Sequence, residues 1–141
     1  MNLNKIFDLF NENPQDKDED VSIVNLYEHP LFWVGMFEKL IKNNDIFKNK
    51  INKFFFIDNP DYDFDELNKL GDNVVFNRAY IFIKQIDLNN PDHQKAVIAR
   101  GKHGLSSIIS LAINYFSILE EYEKCIVLKN IQTFLEKNLA L

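Results

Sequence analysis

Apolar residues recur at helical rather than alternating spacing along most of the chain. Leu3, Ile6, Phe7 and Phe10 fall at i, i+3, i+4 and i+7, the stripe of a short amphipathic helix that stops before Pro14. Asn13 to Asp20 (NPQDKDED) is acidic and turn-rich and reads as a solvated linker, so residues 1–12 form a detachable helical arm on the linker 13–20. Val21 to Tyr27 is ambiguous between strand and helix. Pro30 suits a first helical position, where its missing N–H is no loss. The helix it opens runs to about Lys42, with Leu31, Val34, Phe37, Leu40 and Ile41 on one side. Phe32, Trp33 and Met36 spill onto the remaining surface, so this helix is apolar nearly all round. Such a helix is either central to the core or lays part of its surface against a partner.

Ile46, Phe47 and Ile51 continue the helical pattern up to Phe54-Phe55-Phe56-Ile57. Four large apolar residues in a row before Asp58-Asn59-Pro60 predict a short strand near 53–57 or an intruding loop. Asp61 or Asp63 can cap a helix of about two turns, for which Lys69 and Gly71 supply the C-terminal signal. Asp72 or Asn73 then caps a further helix carrying Val75, Ala79, Phe82, Ile83 and Ile86. Asn90-Pro91-Asp92 repeats the start signal, with Asn as N-cap, Pro at the first helical position and an acid facing the helix dipole. Apolar positions continue through Val97, Leu105, Ile109, Ala112, Phe116 and Leu119, then Tyr122, Ile126, Leu128, Ile131, Leu135 and Leu139, with Gly101 and Gly104 interrupting the first part.

Length bears on that last stretch. Leu105 to Leu139 as one helix would extend about 52 Å, whereas a compact chain of this size has a diameter of roughly 37 Å. The apolar phase also slips between Leu119 and Leu128. A break near Glu120–Lys124, folding the segment into a helical hairpin, is therefore the expectation. The whole reads as one all-α domain spanning 1–141, with about six helices.

Composition narrows the class. The 141 residues are 46% hydrophobic, with only four Gly and four Pro, which excludes a disordered or linker-like chain. The longest uncharged stretch, Gly104 to Leu119, holds four serines and an asparagine and falls short of the ~20 apolar residues of a membrane span. No secretory signal opens the chain, so the expected address is the cytoplasm, or a virion if the gene is a phage's. Asn, Ile, Lys, Phe and Tyr are abundant and Lys greatly outnumbers Arg, which is the imprint of an AT-rich genome such as that of a low-GC bacterium or its phage.

The formal net charge is −5. Residues 1–71 carry −6 and residues 72–141 carry +1. A nucleic-acid binder needs a positive footprint, which the chain as a whole does not supply. The single cysteine, Cys125, excludes an internal disulfide and a Cys-rich zinc site, and reads as a small core residue.

Searched for chemistry, the chain gives mostly bland readings. His29, His93 and His103 are far apart and show no metal-ligand spacing, so they read as surface or capping histidines. Asp61-Tyr62-Asp63-Phe64-Asp65 has the alternation of a calcium loop but no glycine before Gly71, and capping explains it more simply. Arg100-Gly101-Lys102-His103-Gly104 places three basic groups before a helix N-terminus, making Arg100, Lys102 and His103 candidates for an anion contact. No pair of carboxylates or His–acid set suggests a catalyst, and no cofactor or metal is implied.

These readings favour a non-catalytic protein–protein interaction subunit or adaptor of a larger assembly, a phage virion connector or accessory protein being one setting. A protein partner or a second copy would rest on Phe32, Trp33, Met36, Phe54, Phe55 and Phe56, with Asp61, Asp63 and Asp65 beside them. A second reading is an acidic inhibitor or immunity-type protein blocking a basic partner. A third is a helical subunit that meets nucleic acid only within a complex, through Lys95, Arg100 and Lys102.

Overall fold

The computed structural model describes residues 26–58 and 63–139, all in helices and their connections. Five helices occur among the described residues, with no strand: α1 Pro30–Asp58, α2 Phe64–Ile83, α3 Pro91–Gly101, α4 Leu105–Ile118 and α5 Tyr122–Leu139. The arm 1–12 and the linker 13–20 lie outside the described residues.

α1 and α2 form an antiparallel pair. Phe32 meets Phe82 at one end, with ring centroids 5.9 Å apart, and Asn52 Nδ2 donates to Asn68 Oδ1 toward the other. Between them Asn44 Nδ2 donates to Asp72 Oδ1 at 2.8 Å, and Lys48 pairs with the same carboxylate oxygen at 2.9 Å. Asn44, Lys48 and Asn52 recur every four residues, so they line one stripe of α1 that faces α2. This stripe is why α1 extends past the expected stop near Lys42. Polar residues that look like a solvated surface are an interhelical seam, and no Gly or Pro breaks the helix before Asp58. The strand expected near 53–57 is likewise replaced by helix through Asp58.

Gly71 lies inside α2 rather than ending a helix, which merges two expected helices into one. Asp63 caps α2 by accepting from Asp65 N and Glu66 N at 3.0 and 3.2 Å. The helix ends at Ile83, so Ile86, expected among its apolar positions, lies beyond it. Asn90 caps α3 through Asp92 N at 2.9 Å, with Pro91 at the first turn, as the sequence signal requires.

α4 and α5 are the expected hairpin. α4 ends in a Schellman arrangement: Glu121 N donates to Phe116 O and Glu120 N to Ser117 O, with Glu120 in the left-handed region at φ 61°. Gly104, at φ 93°, makes the other sharp turn, between α3 and α4. Gly101 permits close approach: a Cβ there would lie 2.5 Å from Leu135 Cδ2 and 2.6 Å from Leu139 Cδ1.

The core is drawn from every helix. Val34, Phe37, Ala79, Ile83, Val97, Leu105, Ile109, Ala112, Phe116, Leu128 and Leu135 are fully buried. Phe76 of α2 stacks on Tyr115 of α4 at 4.2 Å, and Tyr80 meets Phe116 edge-on. Lys124 fastens α5 to α2 by donating to Asn77 Oδ1 at 2.6 Å, and its ammonium lies 5.0 Å from the Phe116 ring centroid. Buried Gln132 ties α5 to α4 through Ser110 Oγ at 2.7 Å and Ser106 O at 3.2 Å. No helix among the described residues is long and apolar enough to cross a membrane.

Candidate functional site

α1 begins where His29 Nδ1 accepts from Leu31 N at 3.0 Å, a cap beside Pro30. Its inward residues Val34, Phe37 and Ile41 enter the core. Glu38 is also buried, 1% exposed, and is held by Arg100 of α3: Nε to Oε1 and Nη2 to Oε2, both at 3.0 Å. Lys42 adds a longer contact to Glu38 at 3.5 Å. Hydrogen bonding to this carboxylate raises the Arg100 pKa further above its ordinary value.

The outer face of α1 carries two adjoining grooves. One, about 480 Å³, lies between α1 and α3 and is lined by Phe32, Gly35, Met36, Glu38, Lys39, Lys42, Asn43 and Arg100. The other, about 420 Å³, lies between α1 and α2 and is lined by Met36, Lys39, Leu40, Asn43, Asn44, Phe47, Val74, Val75 and Arg78. Met36, Lys39 and Asn43 border both, so they form one surface running from Phe32 to Phe47. Along the helix that is about 22 Å.

Its floor is mainly apolar and its rim cationic. Phe47 and Val74 are each 54% exposed, large apolar side chains left facing solvent. Among the described residues no carboxylate lies within ion-pair distance of Lys39 or Arg78. Lys42 shares a carboxylate already held by Arg100. The two grooves together therefore hold four cations against one acid.

Charge elsewhere sharpens the contrast. Residues 1–25 hold six acids (Asp8, Glu12, Asp16, Asp18, Glu19 and Asp20) and two lysines, a net of −4. Residues 26–141 hold the other fifteen acids and fourteen bases, a net of −1. Most of the acidity thus belongs to the first 25 positions and the helical body is close to neutral.

Of the residues expected at a partner surface, the structure places Phe32 and Met36 on the grooves. Trp33 turns away: its indole Nε1 donates to Tyr27 O at 2.9 Å, and its ring meets His93 of α3 edge-on. Phe54 is 64% exposed near the far end of the α1–α2 pair. The side chains of Phe55 and Phe56, and all of Asp61, lie outside the described residues. Asp63 is engaged as the α2 cap, and Asp65 is exposed on the first turn.

The basic cluster is divided. Arg100 is committed to Glu38, while Lys102 and His103 are exposed in the turn before α4. Lys95 borders a separate cavity of about 520 Å³ with Glu28 and Asp92. His93 Nδ1 accepts from Asp87 N at 2.9 Å, a capping role. Cys125 packs against the core, its Sγ 3.6 Å from Ile113 O. Among the described residues no group of three His, Cys, Asp or Glu side chains could hold a metal ion.

Sequence reasoning missed Lys39, Leu40, Phe47, Val74 and Arg78 as surface partners of Met36. The available signal was the spacing Met36, Leu40, Asn43, Phe47, which keeps one helical face past residue 42. It also missed a second apolar patch at the α4–α5 turn, where Ile118, Tyr122 and Ile126 are 74, 58 and 60% exposed. Comparison with protein-family models, curated proteins and solved structures finds no match.

Proposed function

We propose that this protein is a non-catalytic interaction subunit that docks a protein segment carrying apolar and acidic side chains along the outer face of α1. The observation that carries this reading is the pairing of an exposed apolar floor with two cations, Lys39 and Arg78, that meet no carboxylate among the described residues. Solvent-facing apolar surface rimmed by polar groups marks interaction sites. Uncompensated charge at the rim steers an oppositely charged partner and fixes its register. The acidic-inhibitor reading would rest on residues 1–25, since the body itself is near neutral. The nucleic-acid reading is weaker because Arg100 is committed to Glu38.

The test is capture from native lysate with the wild-type chain and with Phe47→Asp, Val74→Asp, compared by quantitative mass spectrometry. Both substituted residues are half exposed, so the helical circular-dichroism signal should persist. A specific protein retained by wild type and lost by the variant, but kept by Ile126→Asp at the other apolar patch, supports the reading. Equal retention by all three contradicts it.

A further inference from the structure

We infer that the groove on α1 takes the α4–α5 turn of a second copy of this chain, so that copies associate head to tail. This rests on the docking role proposed for the groove and names its occupant.

The groove calls for a segment that offers apolar and acidic side chains together, and the chain displays one on its own surface. The α4–α5 turn presents Ile118, Tyr122 and Ile126 to solvent. Tyr122 and Ile126 stand four residues apart on one face of α5, and Glu123, three residues before Ile126, borders that face. Glu120 and Glu123 are exposed, and among the described residues neither meets a cation within ion-pair distance. Residues 118–126 hold three acids and one lysine, a net of −2. That lysine, Lys124, is turned to the body, where it donates to Asn77 Oδ1 at 2.6 Å and Glu121 Oε2 at 3.3 Å. The outward charge of the turn is therefore acidic, against the exposed Lys39 and Arg78 of the groove. Its shape is already set by the bonds that end α4 and by Lys124, so docking orders little that is not ordered beforehand.

Charge also selects the arrangement. Groove against groove would oppose cations to cations, and turn against turn would oppose acids to acids; turn against groove pairs them. A chain does not fill its own groove, because Lys124 holds the turn at the Asn77 side of α2, whereas Val74, Val75 and Arg78 line the groove on the side that meets α1. The contact joins two different patches, so each copy in an open assembly keeps a free groove or a free turn at its end. A contact this small belongs with weak, transient interfaces, and association grows with protein concentration.

Sedimentation velocity over a concentration series, at low and high salt, tests this in the intact chain. Wild type should associate, and less so in high salt. A groove variant, Phe47→Asp, Val74→Asp, and a turn variant, Tyr122→Asp, Ile126→Asp, should each be monomeric alone while keeping the helical circular-dichroism signal. Mixed, they should form a heterodimer and nothing larger, because each pair then holds one intact turn and one intact groove. Glu123→Arg should weaken wild-type association about fivefold, and adding Arg78→Glu should restore it. These two exposed positions decide the matter if a double variant unfolds. A wild type that is monomeric throughout overturns the inference. So does an association that only one of the two variants abolishes, or a mixture that stays monomeric. Recovery of the chain itself from lysate reports this contact, since a groove variant still offers its turn, whereas recovery of a different protein reports the docking reading. A monomeric wild type that captures a different protein through Phe47 and Val74 ends this inference alone; one that captures nothing ends the docking reading as well.

Discussion

Glu38 and Arg100, 62 positions apart in sequence, form a two-point ion pair at 3.0 Å that joins α1 to α3 directly beneath the groove. Glu38 is 1% exposed and the Arg100 side chain 35%, so the carboxylate has exchanged water mainly for this guanidinium, with Lys42 Nζ at 3.5 Å beside it. The pair fixes α1 at the level of Met36 and Lys39, and so sets the shape of the surface above it.

Removing one partner leaves the other without its counter-charge, which is costly for a buried group. Glu38→Gln should lower stability by about 2–3 kcal/mol, at or below the low end of the usual range because Arg100 still meets solvent. Replacing both with Leu should recover most of that loss. Denaturant midpoints for the two singles and the double give the coupling directly; additive losses would show that the pair does not act as a unit.

The two glycines at either end of the middle of the chain should respond oppositely to alanine. A Cβ at Gly71 meets nothing within 4 Å on a helix interior, so Gly71→Ala should stabilise by up to about 1 kcal/mol. Gly101→Ala drives a methyl into buried Leu135 and should cost about 1–3 kcal/mol. Thermal unfolding of both variants checks the signs.

Glu120 holds the left-handed position that ends α4, where a side chain is strained by roughly 1–2 kcal/mol. Glu120→Gly relieves that strain and should raise stability by about 1 kcal/mol after the entropy of the added glycine is counted. A lower melting temperature would mean that the Glu120 side chain contributes something beyond its backbone.

Burial raises the pKa of both Tyr80 and Tyr115, which flank Phe116, above their ordinary value; nearby acids add to the shift. The folded state thus favours the neutral phenol. Its contribution to stability is whole below the unfolded value near 10 and is lost as pH rises through the higher native values. Wild type should lose more stability than Tyr80→Phe, Tyr115→Phe when urea midpoints are compared about one unit below and one unit above 10. Equal losses would show that these two phenols are not the groups responsible.

How much of this was written in the sequence differs by feature. The caps at Asp63 and Asn90 were legible because they depend on local chemistry alone. The α4–α5 break was legible from apolar phase and length, although its left-handed residue is a glutamate that no turn preference would select. The α1–α2 seam was not legible. Asn44 and Lys48 share Asp72 and Asn52 meets Asn68 across the interface, and polar residues at helical spacing look the same whether they face water or a matching polar stripe. The groove inherited that error, since Phe47 and Val74 come together only if α1 continues past Lys42. The Glu38–Arg100 pair was invisible for a related reason: neither residue's neighbours announce that a charge is buried.

A photoreactive phenylalanine analogue at Phe47, compared with one at the exposed Lys137 on α5, tests the docking surface most directly. Irradiation of the full-length protein in the cells that make it should yield discrete adducts with one partner protein from position 47, and none from 137. No adduct at 47, or the same adducts from both positions, would show that the outer face of α1 is not where this protein meets another chain.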